Sequence, residues 1–471
     1  MSELVQTDLC VIGAGSAGLS VAAGAAQLGR PTVLVEAHRM GGDCLNTGCV
    51  PSKSLLAAAH AAQAMRDGAR FGVRPVDPDI DFAAVGAHVR DVIAGIAPHD
   101  SQERFEGLGV TVLRGQARFR MGDEIEVDGR RVRARRFVVA TGSRAAVPPV
   151  PGLDAVPYLT NETVFELAER PAHLIVLGGG PIGCELGQAF RRLGAAVTLV
   201  DLGPILPKDD PELVAVVRDR LQAEGIVLRE RVKVLAAEPG PALVVEADGR
   251  TEQIVGSHLL VAAGRRPNVE GLDLERAGIA FDKRGIIVDR GLRTTNRKVY
   301  AIGDVAGGLQ FTHVAGWHGG LVIRNALFRL PVDATPKAIP WVTYTDPELA
   351  SVGLGEAAAR EHGHAVEVVR WPFAENDRAR AERRTEGLVK VIVGRRGRIL
   401  GAAIAGAHAG ELILPWVLAL QQGLKLSAMA SVVAPYPTLS EASKRAAGAW
   451  YTPKLFAPRT RQIVGWLARL G

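Results

Sequence analysis

The 471-residue chain has little cysteine: Cys10, Cys44, Cys49 and Cys184 are all there is. Four are too few for a disulfide scaffold, and one close pair among so few points to redox or metal chemistry. The chain also lacks an uninterrupted apolar run of ~18 residues, so no membrane span is expected. The best candidate, Leu412–Leu420, is short, contains Pro415 and reads as a core helix. The N-terminus, MSELVQTDLCVIGAG, has no basic leader and runs straight into a strand. No signal peptide is expected there, and the expected location is cytoplasmic. Acidic residues fall slightly short: 50 Asp+Glu against 56 Lys+Arg leave a formal charge of +6. Most of the excess is arginine, as in Arg130, Arg131, Arg133, Arg135 and Arg136, or Arg378, Arg380, Arg383 and Arg384. These runs read as solvated basic faces with at most weak attraction for anionic ligands or lipid surfaces. No nucleic-acid motif accompanies them, so no nucleic-acid partner is expected.

Glycine, by contrast, is abundant at 54 residues, which suggests tight turns and close approach of backbone to ligands. At about 100–200 residues per domain, two to four domains are expected. Thr7–Ala37 and His173–Gly203 each read as an apolar strand, a glycine turn, an Ala-rich or apolar helix and a second strand. That is the βαβ unit of a doubly wound sheet. The fold class is α/β, with two Rossmann-like dinucleotide-binding domains and an α+β C-terminal dimerisation domain. Val299–Asp304 reads as a short buried strand ending in an acid, where the chain re-enters the first domain. The expected boundaries are 1–150 with 265–335, then 151–264, then 336–471.

The first glycine motif is Gly13, Gly15 and Gly18 between a strand and a helix, with Glu36 ending the next strand. Glycines there permit the turn and the approach of a pyrophosphate to a helix N-terminus, and the acid is placed for a ribose hydroxyl. The second is Gly178, Gly180 and Gly183, with Asp201 ending its second strand. An acid at that place favours an unphosphorylated ribose, hence NADH, although Lys208 nearby leaves NADPH open. Two such sites match one tightly held flavin, FAD, and one exchanging nicotinamide.

Cys44 and Cys49 lie in Gly41–Lys53, directly after the first βαβ unit. Two cysteines five apart around a turn and a helix start can close a small disulfide ring, and a helix N-terminus favours thiolate. A disulfide beside a flavin can accept electrons, and one thiolate can then attack an external disulfide. Zinc would need two further ligands, and no second Cys or His pair has metal spacing, so no resident metal is expected.

With these motifs the chain resembles the class I pyridine nucleotide–disulfide oxidoreductases, such as dihydrolipoamide dehydrogenase, glutathione reductase and mercuric reductase. The resemblance runs from about Asp8 to Lys444. Besides Gly41–Lys53 it rests on Ala140-Thr141-Gly142-Ser143-Arg144, Ala263-Gly264-Arg265-Arg266-Pro267-Asn268, Ile302-Gly303-Asp304 and Thr345-Asp346-Pro347-Glu348. It implies that Cys44 is the interchange thiol and Cys49 the flavin-proximal thiol. Lys53 and Glu185 match an ion pair beside the flavin ring, and Asp304 matches the residue holding the ribityl chain. Thr141, Gly142, Gly264 and Gly303 fall in the matching cofactor-binding segments. The resemblance also implies a homodimer whose C-terminal domain completes the partner's active site. Cys10 and Cys184 have no redox role in it and read as buried packing thiols.

One departure bears on the reaction. Disulfide reductases of the family carry a His-Pro with a glutamate five residues after the histidine. Here the segment is Ala434-Pro435-Tyr436-Pro437-Thr438-Leu439-Ser440-Glu441, so Tyr436 stands in the histidine's place and Glu441 remains. A phenol with pKa about 10 is a poor base at neutral pH. Mercuric reductases are similar in having this tyrosine, but their C-terminal cysteine pair is missing from Thr460–Gly471. The reading is an FAD-dependent NAD(P)H oxidoreductase of mercuric-reductase-like type, whose acceptor is a metal ion, a quinone or an unusual thiol or disulfide. The alternatives are a dihydrolipoamide dehydrogenase and a flavin-bearing binding protein with vestigial turnover.

Overall fold

The computed structural model describes residues 4–470. Apolar runs such as Leu9–Ile12 and Phe137–Val139 are buried on both faces, as parallel strands covered on both sides must be. The first strands are β1 (Leu4–Ile12), β2 (Thr32–Glu36), β3 (Val110–Arg114), β4 (Ala117–Met121), β5 (Glu124–Val127) and β6 (Arg130–Val139). They lie in the order β3-β2-β1-β6-β5-β4, with β1, β2, β3 and β6 parallel. The late strand Val299–Ala301 pairs in parallel with β6, with Val299 opposite Phe137. The chain therefore returns to its first sheet after a long excursion. Helix α1 (Ser16–Gln27) packs against the late helix Thr312–Ala326. The short α2 (Gly42–Asn46) and the long α3 (Cys49–Arg66) follow β2.

The excursion forms a second parallel sheet, in which His173–Leu177 is flanked by Ala196–Val200 and His258–Val261. A three-stranded antiparallel sheet lies beside it in sequence, within Lys233–Val255. Two short strands, Ser143–Ala145 and Arg265–Pro267, pair antiparallel where the chain leaves and re-enters. The C-terminal part is a five-stranded antiparallel sheet over Pro340–Gly406 with helices after it. Its core includes Trp416, whose indole N–H donates to Ser443 Oγ at 3.0 Å.

Two expectations need correction. Leu412–Leu420 is not a core helix throughout: helix Leu414–Gln421 buries Trp416, Val417 and Ala419 but leaves Leu414 and Leu418 exposed. Its apolar residues surround the helix, and only one side faces this chain's core. The arginine runs are also not simply solvated. The β5–β6 pairing sets Glu124 opposite Arg133, and both Arg131 and Arg133 bond its buried carboxylate at 2.7–2.9 Å. Arg378 pairs with Glu382, and Arg384 with Asp346. Among the described residues no helix is long and apolar enough to cross a membrane.

Candidate active site

The two glycine motifs adopt the same geometry at a constant separation in sequence. Gly13 has φ +107°, and a Cβ there would meet Ala140 O at 2.4 Å; Gly178 has φ +120°, with Ala262 O at 2.4 Å. Glu36 accepts the backbone N–H of Ala14 at 2.7 Å and of His38 at 2.6 Å. Asp201 accepts Gly179 N–H at 2.6 Å and Gly203 N–H at 2.7 Å. Each acid thus ties the glycine turn to the end of the next strand. The helices behind the turns begin at Ser16 and Pro181, just after Gly15 and Gly180, with no side-chain cap and no acid in the first turn. A Cβ on Gly180 would meet nothing within 4 Å, and one on Gly15 only Gly42 Cα at 3.8 Å. Open space in front of uncapped helix N–H groups is the donor set a pyrophosphate needs, so both sites suit a dinucleotide.

The other cofactor-segment residues converge on the same region. Thr141 Oγ1 donates to Asn268 O at 2.8 Å, and Gly142 O accepts Asn268 N–H at 3.0 Å. Gly264 O accepts Ala146 N–H at 2.9 Å. Gly303 N–H donates to His318 Nδ1 at 3.3 Å, and burial keeps that imidazole neutral enough to accept. Asp304 accepts from Ser143 Oγ at 2.5 Å; burial raises its pKa, opposed by that bond and the Arg265 charge.

Cys44 lies in α2, and Cys49 begins α3. Both are free thiols, as are the buried Cys10 and Cys184. The interaction between the two thiols shifts them in opposite directions. It lowers the Cys49 pKa to about 6, with help from the Thr312 hydroxyl and the Lys53 charge, against burial and Asp43. The same interaction and burial push Cys44 up. The directions favour Cys49 as the more acidic thiol of the pair. Thr312 Oγ1 lies 3.4 Å from Cys49 Sγ, brought in from 263 positions away by the helix that packs on α1.

Lys53 Nζ lies 2.7 Å from Glu185 Oε2 and 4.3 Å from the centre of the Tyr344 ring. Glu185 is buried, and its other oxygen accepts Tyr344 N–H at 2.9 Å. Asp43, next to Cys44, gathers the redox loop. Its Oδ1 accepts from Thr47 Oγ1 at 2.8 Å and Asn161 Nδ2 at 3.1 Å, and its Oδ2 accepts from Arg265 at 3.0 Å. Sequence reading missed Asp43, Asn161, Thr312 and Tyr344. Thr312 and Tyr344 carry no local motif and become visible only when distant elements pack.

Tyr436 and Glu441 are placed elsewhere. Tyr436 is exposed, precedes a cis proline, and donates its hydroxyl to Asp377 Oδ2 at 3.0 Å. That bond and the Asp377 charge raise the phenol's pKa further. Glu441 opens helix Glu441–Ala449 and pairs with Arg445 at 2.9 Å. Neither bonds to the cysteines of the same chain.

Comparison with known proteins matches this arrangement across nearly the whole chain. The family model described as pyridine nucleotide-disulphide oxidoreductase matches residues 7–319, and its dimerisation domain matches residues 339–447. A mercuric reductase of Streptomyces lividans is 38% identical, covering 93% of this chain and 95% of that one. A dihydrolipoyl dehydrogenase of Thermus scotoductus is 39% identical, covering 94% and 97%. Among solved structures, the Cu(II) complex of the HOCl-induced flavoprotein disulfide reductase RclA from Escherichia coli superposes with a TM-score of 0.84 at 28% identity. That match covers 93% of this chain and 99% of the other. The dimerisation domain supports a homodimer. The chain belongs to the pyridine nucleotide-disulphide oxidoreductase family and is an FAD-dependent, NAD(P)H-linked oxidoreductase.

Proposed function

We propose that this enzyme uses NAD(P)H to reduce an acceptor at the Cys44–Cys49 pair, and that the acceptor is a soft metal ion, a quinone or an unusual thiol species, the metal ion being favoured. Residues 1–150 and 265–335 would hold FAD, residues 151–264 the nicotinamide, and residues 336–471 the dimer contact. Gly13, Gly15, Gly18 and Glu36 would bind the flavin's nucleotide half, with Asp304 on its ribityl side. Gly178, Gly180, Gly183 and Asp201 would bind the nicotinamide nucleotide. When bound, FAD supplies the two-electron relay between nicotinamide and sulfur.

The observation that carries this reading is geometric: Cys49 starts α3 with its Sγ 3.4 Å from Thr312 Oγ1, and Tyr436, not a histidine, precedes the cis Pro437. Closing the Cys44–Cys49 disulfide from one thiolate and one thiol releases two electrons to the acceptor and one proton. Attack by Cys44 on an external disulfide needs a base to take that proton. Tyr436, already hydrogen-bonded to Asp377 and pushed up in pKa, is a poor one. A soft cation needs no such base, since thiolate coordination itself displaces the proton.

The test is a panel of Hg(II), Cu(II), quinones, small disulfides and lipoamide, each supplied to the purified dimer with NADH and with NADPH. Fastest turnover with a soft metal, lost in Cys44→Ser, supports the reading. A second reading, dihydrolipoamide dehydrogenase, is favoured by the similarity to the Thermus scotoductus protein. Dihydrolipoamide oxidation by NAD outpacing every metal reaction would establish it instead.

A further inference from the structure

Trp450 still packs on the C-terminal core, but from Thr452 to Phe456 every residue is exposed. Residues 448–471 lie outside the matched dimerisation domain. They contain the helix Pro458–Leu467, none of whose residues is buried. Its apolar residues are nevertheless ordered: Ile463, Val464, Trp466 and Leu467 follow the i, i+1, i+3, i+4 spacing of a single helical face, and Leu470 follows just past its end. Trp466 is 61% and Leu470 67% exposed. Arg461 lies on the opposite side of the helix, Arg459 sits in its first turn below the apolar face, and Arg469 follows in the turn after it. Phe456, just before the helix, is also exposed.

The charge is equally one-sided. The last acid of the chain is Glu441. After it come Lys444, Arg445, Lys454, Arg459, Arg461 and Arg469, six positive charges and no negative one. That equals the formal +6 of the whole chain, so everything before the tail is balanced. Lys444 and Arg445 belong to the preceding helix, and Arg445 is paired with Glu441. The other four flank or line the exposed helix.

We infer that the C-terminal segment Leu455–Leu470 is a reversible anchor to an anionic lipid surface, with Phe456, Trp466 and their apolar neighbours entering the headgroup boundary and Arg461 and Arg469 facing phosphates. A short amphipathic helix with a tryptophan on its apolar side and cations on the other is the form that lies in a bilayer interface. Charge argues for lipid over a second copy. Two identical tails meeting across a two-fold axis would bring like charges together with no acid to offset them. The inference is independent of the electron acceptor.

The FAD-loaded dimer is sedimented with phosphatidylglycerol–phosphatidylcholine vesicles and with pure phosphatidylcholine vesicles. Three variants are compared: a chain ending at Ala457, Trp466→Asp, and Arg461→Gln with Arg469→Gln. The intact protein should pellet with the anionic vesicles, and high salt should release it. The chain ending at Ala457 should stay in the supernatant while keeping its dimer mass and its NAD(P)H-driven flavin reduction. Trp466→Asp should pellet less, and the double glutamine variant should bind roughly thirtyfold more weakly. Equal pelleting with pure phosphatidylcholine, or unchanged pelleting of the shortened chain, overturns the inference. So does loss of dimer mass on shortening, which would place the tail on the partner subunit.

Discussion

Lys53 and Glu185 meet at 2.7 Å although 132 residues separate them, and Glu185 is the buried member of the pair. Lys53 projects from α3, four residues after Cys49. Glu185 projects from the first turns of the helix behind the second glycine motif. The pair therefore joins the helix that starts at Cys49 to the helix that follows the second glycine turn. Glu185 also holds the backbone of Tyr344, so a segment of the C-terminal part is fixed by the same carboxylate.

Glu185→Gln keeps the shape and an acceptor for Tyr344 N–H but removes the charge that orients Lys53. The variant should lose about 1–3 kcal/mol of stability, as expected for a hydrogen bond to a charged group. Its turnover should fall more than its KM for nicotinamide changes. Thermal melts of the FAD-loaded dimer and steady-state kinetics with NADH check both. Unaltered turnover would show that Lys53 does not depend on Glu185 for its position.

The Cys49 thiolate should be visible as long-wavelength charge-transfer absorbance in the reduced holoenzyme. Its folded pKa is about 6, lowered from 9.0. A depressed pKa means the thiolate is lost as pH falls through about 6, and its contribution to stability, complete only above 9.0, is lost over the same descent. The absorbance should therefore fade on acidification with a midpoint near 6. Thr312→Val removes a hydroxyl that favours the thiolate, so its midpoint should move upward. A midpoint that stays put would remove Thr312 from the site.

How much of this was legible in the sequence follows from which contacts are local. Each glycine turn and its acid lie within one βαβ unit, and their spacing alone announces them. The hydrogen bonds agree: Ala14 to Glu36 and Gly179 to Asp201 span the same 22 residues. The Lys53–Glu185 contact had no local signal and was expected only through family resemblance. Thr312 beside Cys49 had neither motif nor resemblance to mark it. The exposed side of Leu414–Gln421 departs from the core-helix reading because hydrophobicity alone does not distinguish a core residue from an apolar residue left at the surface.

The cofactor preference turns on Asp201. Its carboxylate already accepts two backbone N–H groups, from Gly179 and Gly203. A ribose hydroxyl can add a donor to it, whereas a 2′-phosphate would bring like charge against it. NADH should exceed NADPH in kcat/KM by about tenfold or more, given what one misplaced charge costs in a binding site. Asp201→Ser should narrow that ratio chiefly by improving NADPH. Comparable values for the two nicotinamides in the unaltered enzyme would show that another cation, such as Lys208, sets the choice.

Tyr436 sets the last expectation, because its place decides whether the thiol pair can exchange with disulfides. The phenol donates to Asp377 and is held neutral at physiological pH. Tyr436→His would put an imidazole with ordinary pKa about 6.5 beside the same carboxylate, whose charge would raise that pKa towards neutrality. A base so placed on the partner's cysteines typically contributes 10²–10⁴-fold to proton transfer. Dihydrolipoamide oxidation by NAD should therefore rise by about tenfold or more, with a new acidic limb in its pH profile as the histidine is protonated. Arg445→Ala, which releases Glu441 from its pair, should add to the gain, since a freed carboxylate can orient the imidazole. Tyr436→Phe separates the roles: if the tyrosine is not a base, metal reduction should survive in it. A histidine variant that keeps metal reduction but gains no disulfide exchange would mean that the pocket excludes the dithiol by shape, and that the missing base is not what sets the acceptor.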